Sequence, residues 1–141
     1  MAVARGFPYT VYSSNQVAGV ANRRANLVNP AAIFQDAQVP GGKQLLNRAA
    51  FGEPTSGNGN LGRNSLGGPG LFNIDISLDR AIPLRRLGES GRLHFRADAF
   101  NFLNHANLSN PDTTQLNATT FGKITSASAP RVIELGLRFA F

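Results

Sequence analysis

Val132-Ile133-Glu134-Leu135-Gly136-Leu137-Arg138-Phe139-Ala140-Phe141 is the stretch that decides the fold class. Ile133, Leu135, Leu137, Phe139 and Phe141 fall at every second position, against Val132, Glu134, Gly136, Arg138 and Ala140. Side chains alternate between the two faces of a strand, so this spacing yields one apolar and one polar face. Two stretches upstream have the same period. Over 71–82, Phe72, Ile74, Ile76 and Leu78 oppose Asn73, Asp75, Ser77 and Asp79. Over 92–102, Leu93, Phe95, Ala97 and Ala99 oppose Arg92, His94, Arg96 and Asp98.

A half-buried sheet in water alternates in the same way, so length and chemistry must decide. The strands expected over 71–82, 92–102 and 131–141 match the roughly 9–11 residues that a tilted strand needs to cross a bilayer. Strands of water-soluble proteins average about 5–6. The polar faces carry Asp75, Asp79, Arg92, Arg96, Glu134 and Arg138, which suits a wet barrel lumen. Phe141 ends the third segment where barrels place an aromatic girdle. The expected fold is therefore all-β: an antiparallel transmembrane β-barrel, of which this chain holds three to four C-terminal strands with long extracellular loops.

The connections agree with that scheme. Residues 83–91 make a short turn, and 103–130 form a long loop rich in Asn, Thr and Ser. Short periplasmic turns alternating with longer outer loops are a barrel signature. A fourth strand, broken by Pro8, falls at 1–12 and leads into a long outer loop over 13–70. Pairing across the first hairpin is expected to set Asp79 opposite Arg92 and Asp75 opposite Arg96, each pair contributing roughly 0.2–1 kcal/mol. Arg80 has lipid-facing parity. It is expected at the periplasmic rim, where its head can reach the headgroups.

Composition narrows the function classes. The 141 residues include 15 Gly and 8 Pro, only 16% are charged, and none is Cys. That excludes a disulfide scaffold and thiolate metal sites. No apolar run of the 18 or so residues needed for a membrane helix exists, and the start of the chain lacks the pattern of a signal peptide. The net charge of +6 raises nucleic acid as a partner, but the basic residues are dispersed, with Arg23-Arg24 and Arg85-Arg86 the only adjacent pairs. Gly57-Asn58-Gly59-Asn60-Leu61-Gly62 satisfies G-x-G-x-x-G without a strand before it or a helix after it, and reads as loop glycine. His94 is expected to line the lumen and His105 to sit in a loop, neither with the companions a metal site needs. No nucleophile elbow is present, and no catalytic residue, metal ligand or cofactor is expected.

Several motifs then resemble one family in order and spacing. Gly62-Arg63-Asn64-Ser65-Leu66-Gly67-Gly68-Pro69-Gly70, running into Phe72-Asn73-Ile74-Asp75-Ile76-Ser77, is similar to the G-R-N-x-L-x-G-P-G…N-x-D-x-S run of Oar-like TonB-dependent receptors. Leu93 to Asn104 resembles that family's F-R-A-E-A-F-N-L-F-N strand and turn. Phe121-Gly122-Lys123-Ile124 with Pro130 to Phe139 resembles its closing F-G-x-I…P-R-x-I-Q-L-G-L motif. Gly6-Phe7-Pro8-Tyr9-Thr10 and Asn47-Arg48-Ala49-Ala50-Phe51 are similar to its G-x-P-F-T and N-P-A-A-F.

The resemblance implies a much longer parent with a signal peptide, a plug and a barrel of about 22 strands. Its location would be the cell outer membrane, and its role TonB-energised uptake of a ligand the sequence does not identify. This chain would close the barrel, with Ile133, Leu135, Leu137, Phe139 and Phe141 on the terminal strand used in assembly. The implied partners are outer-membrane lipid, the barrel-assembly machinery, and the rest of the barrel and plug, with no nucleic acid. The competing readings are a soluble basic β domain that binds nucleic acid and a translocator or adhesin barrel.

Overall fold

A computed structural model describes residues 1–15, 22–84 and 91–140. In chain order the strands are β1 (Ala2–Ala4), β2 (Pro8–Tyr9), β3 (Asn26–Leu27), β4 (Phe34–Val39), β5 (Gly42–Leu46) and β6 (Phe51–Gly52). They continue with β7 (Leu66–Gly67), β8 (Leu71–Asn73), β9 (Ile76–Pro83), β10 (Arg92–Phe100), β11 (Lys123–Ile124) and β12 (Val132–Ala140). Two short 3-10 turns, Pro30–Ala32 and Arg48–Ala50, are the helical elements among the described residues. The protein is all-β, and its registered strand pairs are antiparallel.

The chain divides into two compact units. Unit 1 comprises Met1–Val3, Phe72–Ala106 and Ala129–Phe141; unit 2 comprises Ala4–Leu71 and Asn107–Ser128.

In unit 1, β10 lies between β9 and β12. The alternation seen in the sequence forms continuous rows across this sheet. Leu93 pairs with Ile82 and Phe139, Ala97 with Leu78 and Leu135, and Ala99 with Ile76 and Ile133. On this apolar face Leu135 is 72% exposed and Phe139 61%. The hairpin joining β9 to β10 is closed by a hydrogen bond from the Leu84 N–H to the Gly91 carbonyl, 2.8 Å. Residues 85–90 of that turn, and Phe141, lie outside the described residues.

The expected single strand over 71–82 is two strands, β8 and β9, with Ile74 and Asp75 between them. Asp75 has turned its carboxylate to other work: Oδ1 accepts the Asn101 N–H at 2.9 Å and the Asn73 side-chain amide at 2.8 Å. The stretch at 1–12 likewise holds two short strands, β1 and β2, since Pro8 has no N–H to donate to a longer ladder.

In unit 2, the stretches expected as long loops are folded around a core of their own. Tyr9, Val11, Ala25, Leu46, Ala50, Phe51, Leu61, Leu66, Leu116 and Phe121 are buried together. Short pairings staple distant positions: β2 with β7, β3 with β6, and β11 with β5, whose other neighbour is β4. The Phe51 and Phe121 rings meet edge to face, 5.7 Å between centroids, joining the two chain segments of the unit. Gly122, at φ +72°, makes the approach possible: a Cβ there would lie 2.7 Å from the Leu46 carbonyl oxygen. That glycine's carbonyl accepts the N–H groups of Leu45 and Leu46.

The membrane sheet as candidate functional site

The polar face of the β9–β10–β12 sheet brings together most of the polar residues singled out from the sequence. Arg92 stands between Pro83 and Ala140, His94 between Ala81 and Arg138, Arg96 between Asp79 and Gly136, and Asp98 between Ser77 and Glu134. Three basic residues, three acidic residues and one histidine thus share one surface. The charges on this surface balance in kind.

The register differs from the expected one. Asp79 opposes Arg96, not Arg92, and Asp75 lies beyond the β9–β10 ladder instead of facing Arg96. The slip is four residues, an even number, so every side chain keeps its face. A slip of one would have turned the apolar row inward. Nor is Arg96 held chiefly across the strands. Its Nε donates to Asp98 Oδ2 at 2.6 Å, two residues along its own strand, and Asp98 also accepts the Ser77 hydroxyl at 2.5 Å. Gly136, opposite Arg96, has no side chain to fill the row, and a shallow cleft of about 360 Å³ opens there among Asp79, His94, Arg96 and Arg138.

Arg80 interrupts the apolar face. It pairs with Phe95, three rows from the Pro83 end of the ladder. At about 3.4 Å per residue that is roughly 10 Å along the strand, less in depth once the strand tilts. A long guanidinium side chain can span such a distance to headgroups.

The end of β10 is organised by asparagines that sequence reading passed over. Asn101 and Asn104 adopt left-handed backbone angles, φ +48° and +52°, which Asn tolerates better than most residues. Asn101 is buried; its Oδ1 accepts the His105 N–H, and its Nδ2 donates to the carbonyls of His105 and Ala129. Asn104 Oδ1 accepts the Arg131 N–H just before β12 begins. The Phe100-Asn101-Phe102-Leu103-Asn104 spacing was the available signal, because Asn side chains mimic backbone turns. His105 packs edge-on against Phe72, 5.6 Å between centroids.

Unit 2 carries its own buried polar chemistry. Arg23 is 2% exposed and donates to the carbonyls of Asn15, Pro54 and Gly57. Burial pushes the Glu53 carboxyl up, but hydrogen bonds from the Ser13 hydroxyl and the Ser14 and Asn15 N–H groups outweigh it and hold the group below its ordinary value. The Thr120 hydroxyl holds Asp112 low, against partial burial and with help from Thr114. Burial raises the Tyr9 hydroxyl to about 12, and its oxygen has no hydrogen-bond partner among the described residues. The G-x-G-x-x-G run lies in unit 2, where Gly59 packs against the Ala25 carbonyl and no helix follows.

No helix among the described residues is long and apolar enough to cross a membrane, which does not bear on strands. The family model described as an outer membrane beta barrel domain matches residues 1–134. No curated protein and no solved structure matches the sequence. With a matching model over nearly the whole chain and a sheet of apolar and polar rows to go with it, the chain belongs to the outer membrane beta barrel domain family.

Proposed function

We propose that the chain serves in an outer-membrane receptor of the TonB-dependent, Oar-like kind, closing the barrel and contributing to ligand capture on the outer side. The observation that carries this reading is the β9–β10–β12 sheet: the apolar residues of β9 and β12 are exposed, and the polar rows hold balanced charge. The ordered motifs from Gly62-Arg63-Asn64 to Leu135-Gly136-Leu137 supply the receptor assignment. Ile133, Leu135, Leu137 and Phe139 meet lipid and present the strand to the barrel-assembly machinery. Asp79, Arg92, Arg96, Glu134 and Arg138 face the lumen and the plug. The edges of β9 and β12 pair with further barrel strands, since backbone groups left open in lipid cost several kcal/mol each. No enzymatic step, cofactor or nucleic-acid partner enters this reading.

The test is fractionation of cells that express the chain together with the gene region upstream of it. Recovery in the outer membrane with heat-modifiable migration, and ligand uptake that stops when TonB is deleted, is the expected result. Recovery in the soluble fraction without detergent would sink the barrel role. Uptake or adhesion indifferent to TonB would remove the receptor assignment and leave a translocator or adhesin barrel.

A further inference from the structure

Unit 2 contains a cleft of about 400 Å³ whose wall is made of two guanidinium groups (Arg24, Arg63), three carboxamides (Asn22, Asn58, Asn64) and two hydroxyls (Thr10, Tyr12). Among the described residues, no carboxylate and no aliphatic side chain lines it. Its construction is firm. Tyr12 and Arg24 form an antiparallel bridge, and the Ala25 N–H donates to the Val11 carbonyl beside them, with Val11 and Ala25 both fully buried. Thr10 and Asn64 are tied by two hydrogen bonds, Oγ1 to Oδ1 at 3.2 Å and the Asn64 N–H to Oγ1 at 2.7 Å. Asn58 Oδ1 accepts the Arg24 N–H, and Arg24 Nε donates to the Leu61 carbonyl, which fixes that guanidinium while leaving its Nη groups without a protein acceptor among the described residues. Arg63 donates to no acceptor among them.

The wall therefore presents unbalanced positive charge beside groups that both donate to and accept from hydroxyls. An apolar ligand would find no surface to cover. A bare phosphate would leave the carboxamides unused, and a neutral sugar would leave the guanidiniums unused. The cleft lies at the small end of the roughly 300–1,000 Å³ range of ligand sites, enough for one or two sugar rings.

We infer that this cleft binds a carboxylate-bearing sugar of the uronic acid class, with Arg24 and Arg63 meeting the carboxylate and Asn22, Asn58 and Asn64 the ring hydroxyls. The inference deepens the receptor reading and rests on it for the biological setting alone, because binding can be measured without transport.

The experiment is calorimetric titration of the full chain in detergent micelles with a galacturonic acid disaccharide, the matching neutral galactose disaccharide, and inorganic phosphate. Saturable binding of the acidic sugar is expected, at least about tenfold tighter than either control, in keeping with a charge-assisted bidentate contact. Arg63→Gln, at an exposed position, weakens it by about tenfold or more. Asn58→Asp keeps the acceptor for the Arg24 N–H but adds a negative charge beside the guanidiniums, and should weaken binding of the acid by at least about tenfold. Absent binding of the acidic sugar, equal binding of the neutral one, phosphate binding as tightly, or indifference to both substitutions overturns the inference. Binding without TonB-dependent uptake would leave the site standing and remove the receptor reading; uptake of a ligand with no such binding would do the reverse.

Discussion

Asp75 Oδ1 accepts the backbone N–H of Asn101 at 2.9 Å, so the carboxylate that breaks β8 from β9 is the one that ends β10. One side chain sets two boundaries. Asp75→Ala should cost about 1.5 kcal/mol, the lower end of what a hydrogen bond to a charged group is worth, because the carboxylate is exposed. Loss of hydrogen-exchange protection at the Asn101 amide, with the centre of β10 unaffected, is the measurement. Unchanged protection would mean that Asn101 is held by its own side chain alone.

The Tyr9 hydroxyl, buried without a partner, should be dispensable. Tyr9→Phe is expected to be neutral or to stabilise unit 2 by up to about 1–2 kcal/mol, because it removes an unsatisfied polar atom and leaves the ring in place. Urea unfolding monitored at core positions of unit 2 would register this. A loss of stability would point to a partner for that hydroxyl.

Arg23 is the opposite case. Arg23→Met leaves three carbonyls without their donor, two of them held at 2.5 Å and 2.7 Å. The expected loss is about 3 kcal/mol or more, with Arg23→Lys recovering only part because an ammonium cannot span the same three acceptors. Proteolysis between residues 13 and 60 should rise accordingly.

Acid should loosen the same region. The Glu53 carboxyl is held below its ordinary 4.5 by the Ser13, Ser14 and Asn15 donors. A lowered folded-state pKa adds stability that is fully present above 4.5 and is lost as pH falls below that and through the lowered value. Stability of unit 2 should therefore be flat in its Glu53 contribution from neutral pH down to about 4.5, then decline. Glu53→Gln should flatten the decline, as read by unfolding at several pH values.

On the sheet, Arg80→Leu should be neutral to stabilising in a bilayer. A lipid-facing Arg costs about 2–4 kcal/mol at the midplane and about 0–1 near an interface. Reversible unfolding in lipid reads out which depth applies, and a marked destabilisation would mean that Arg80 is paired within the barrel.

The strands of the membrane sheet were legible because period-two alternation is local and both faces obey it. Their register was not. Setting Arg92 against Asp79 or against Pro83 keeps every residue on the same face, so the pattern is silent between them. The break at Asp75 was hidden for a related reason: its parity suits the polar row, but its partner is a backbone amide 26 residues away. Unit 2 was unreadable as a fold. Pairs such as Tyr9 with Leu66, Asn26 with Gly52 and Lys123 with Gln44 are two-residue ladders between distant positions and leave no periodic trace. The cleft of Arg24 and Arg63 is invisible for the same cause, since its residues lie in three separate stretches of chain.

Unit 2 is made from two segments, Ala4–Leu71 and Asn107–Ser128, and β9 and β10 lie between them in the chain. The pairing of Lys123 with Gln44 and the contact of Phe121 with Phe51 close it only after the intervening hairpin has been made. The order of events in time follows from this. As the chain emerges, the first segment must wait for Leu116 and Phe121, two of the ten core residues, until β9 and β10 have both passed. Completion of unit 2 then reports that the hairpin has been delivered, and loop closure over so long a separation makes that step slow. A chain stalled before Leu116 would leave Phe51 without the Phe121 ring that packs on it, and apolar surface exposed in this way is what makes unfinished chains prone to aggregate.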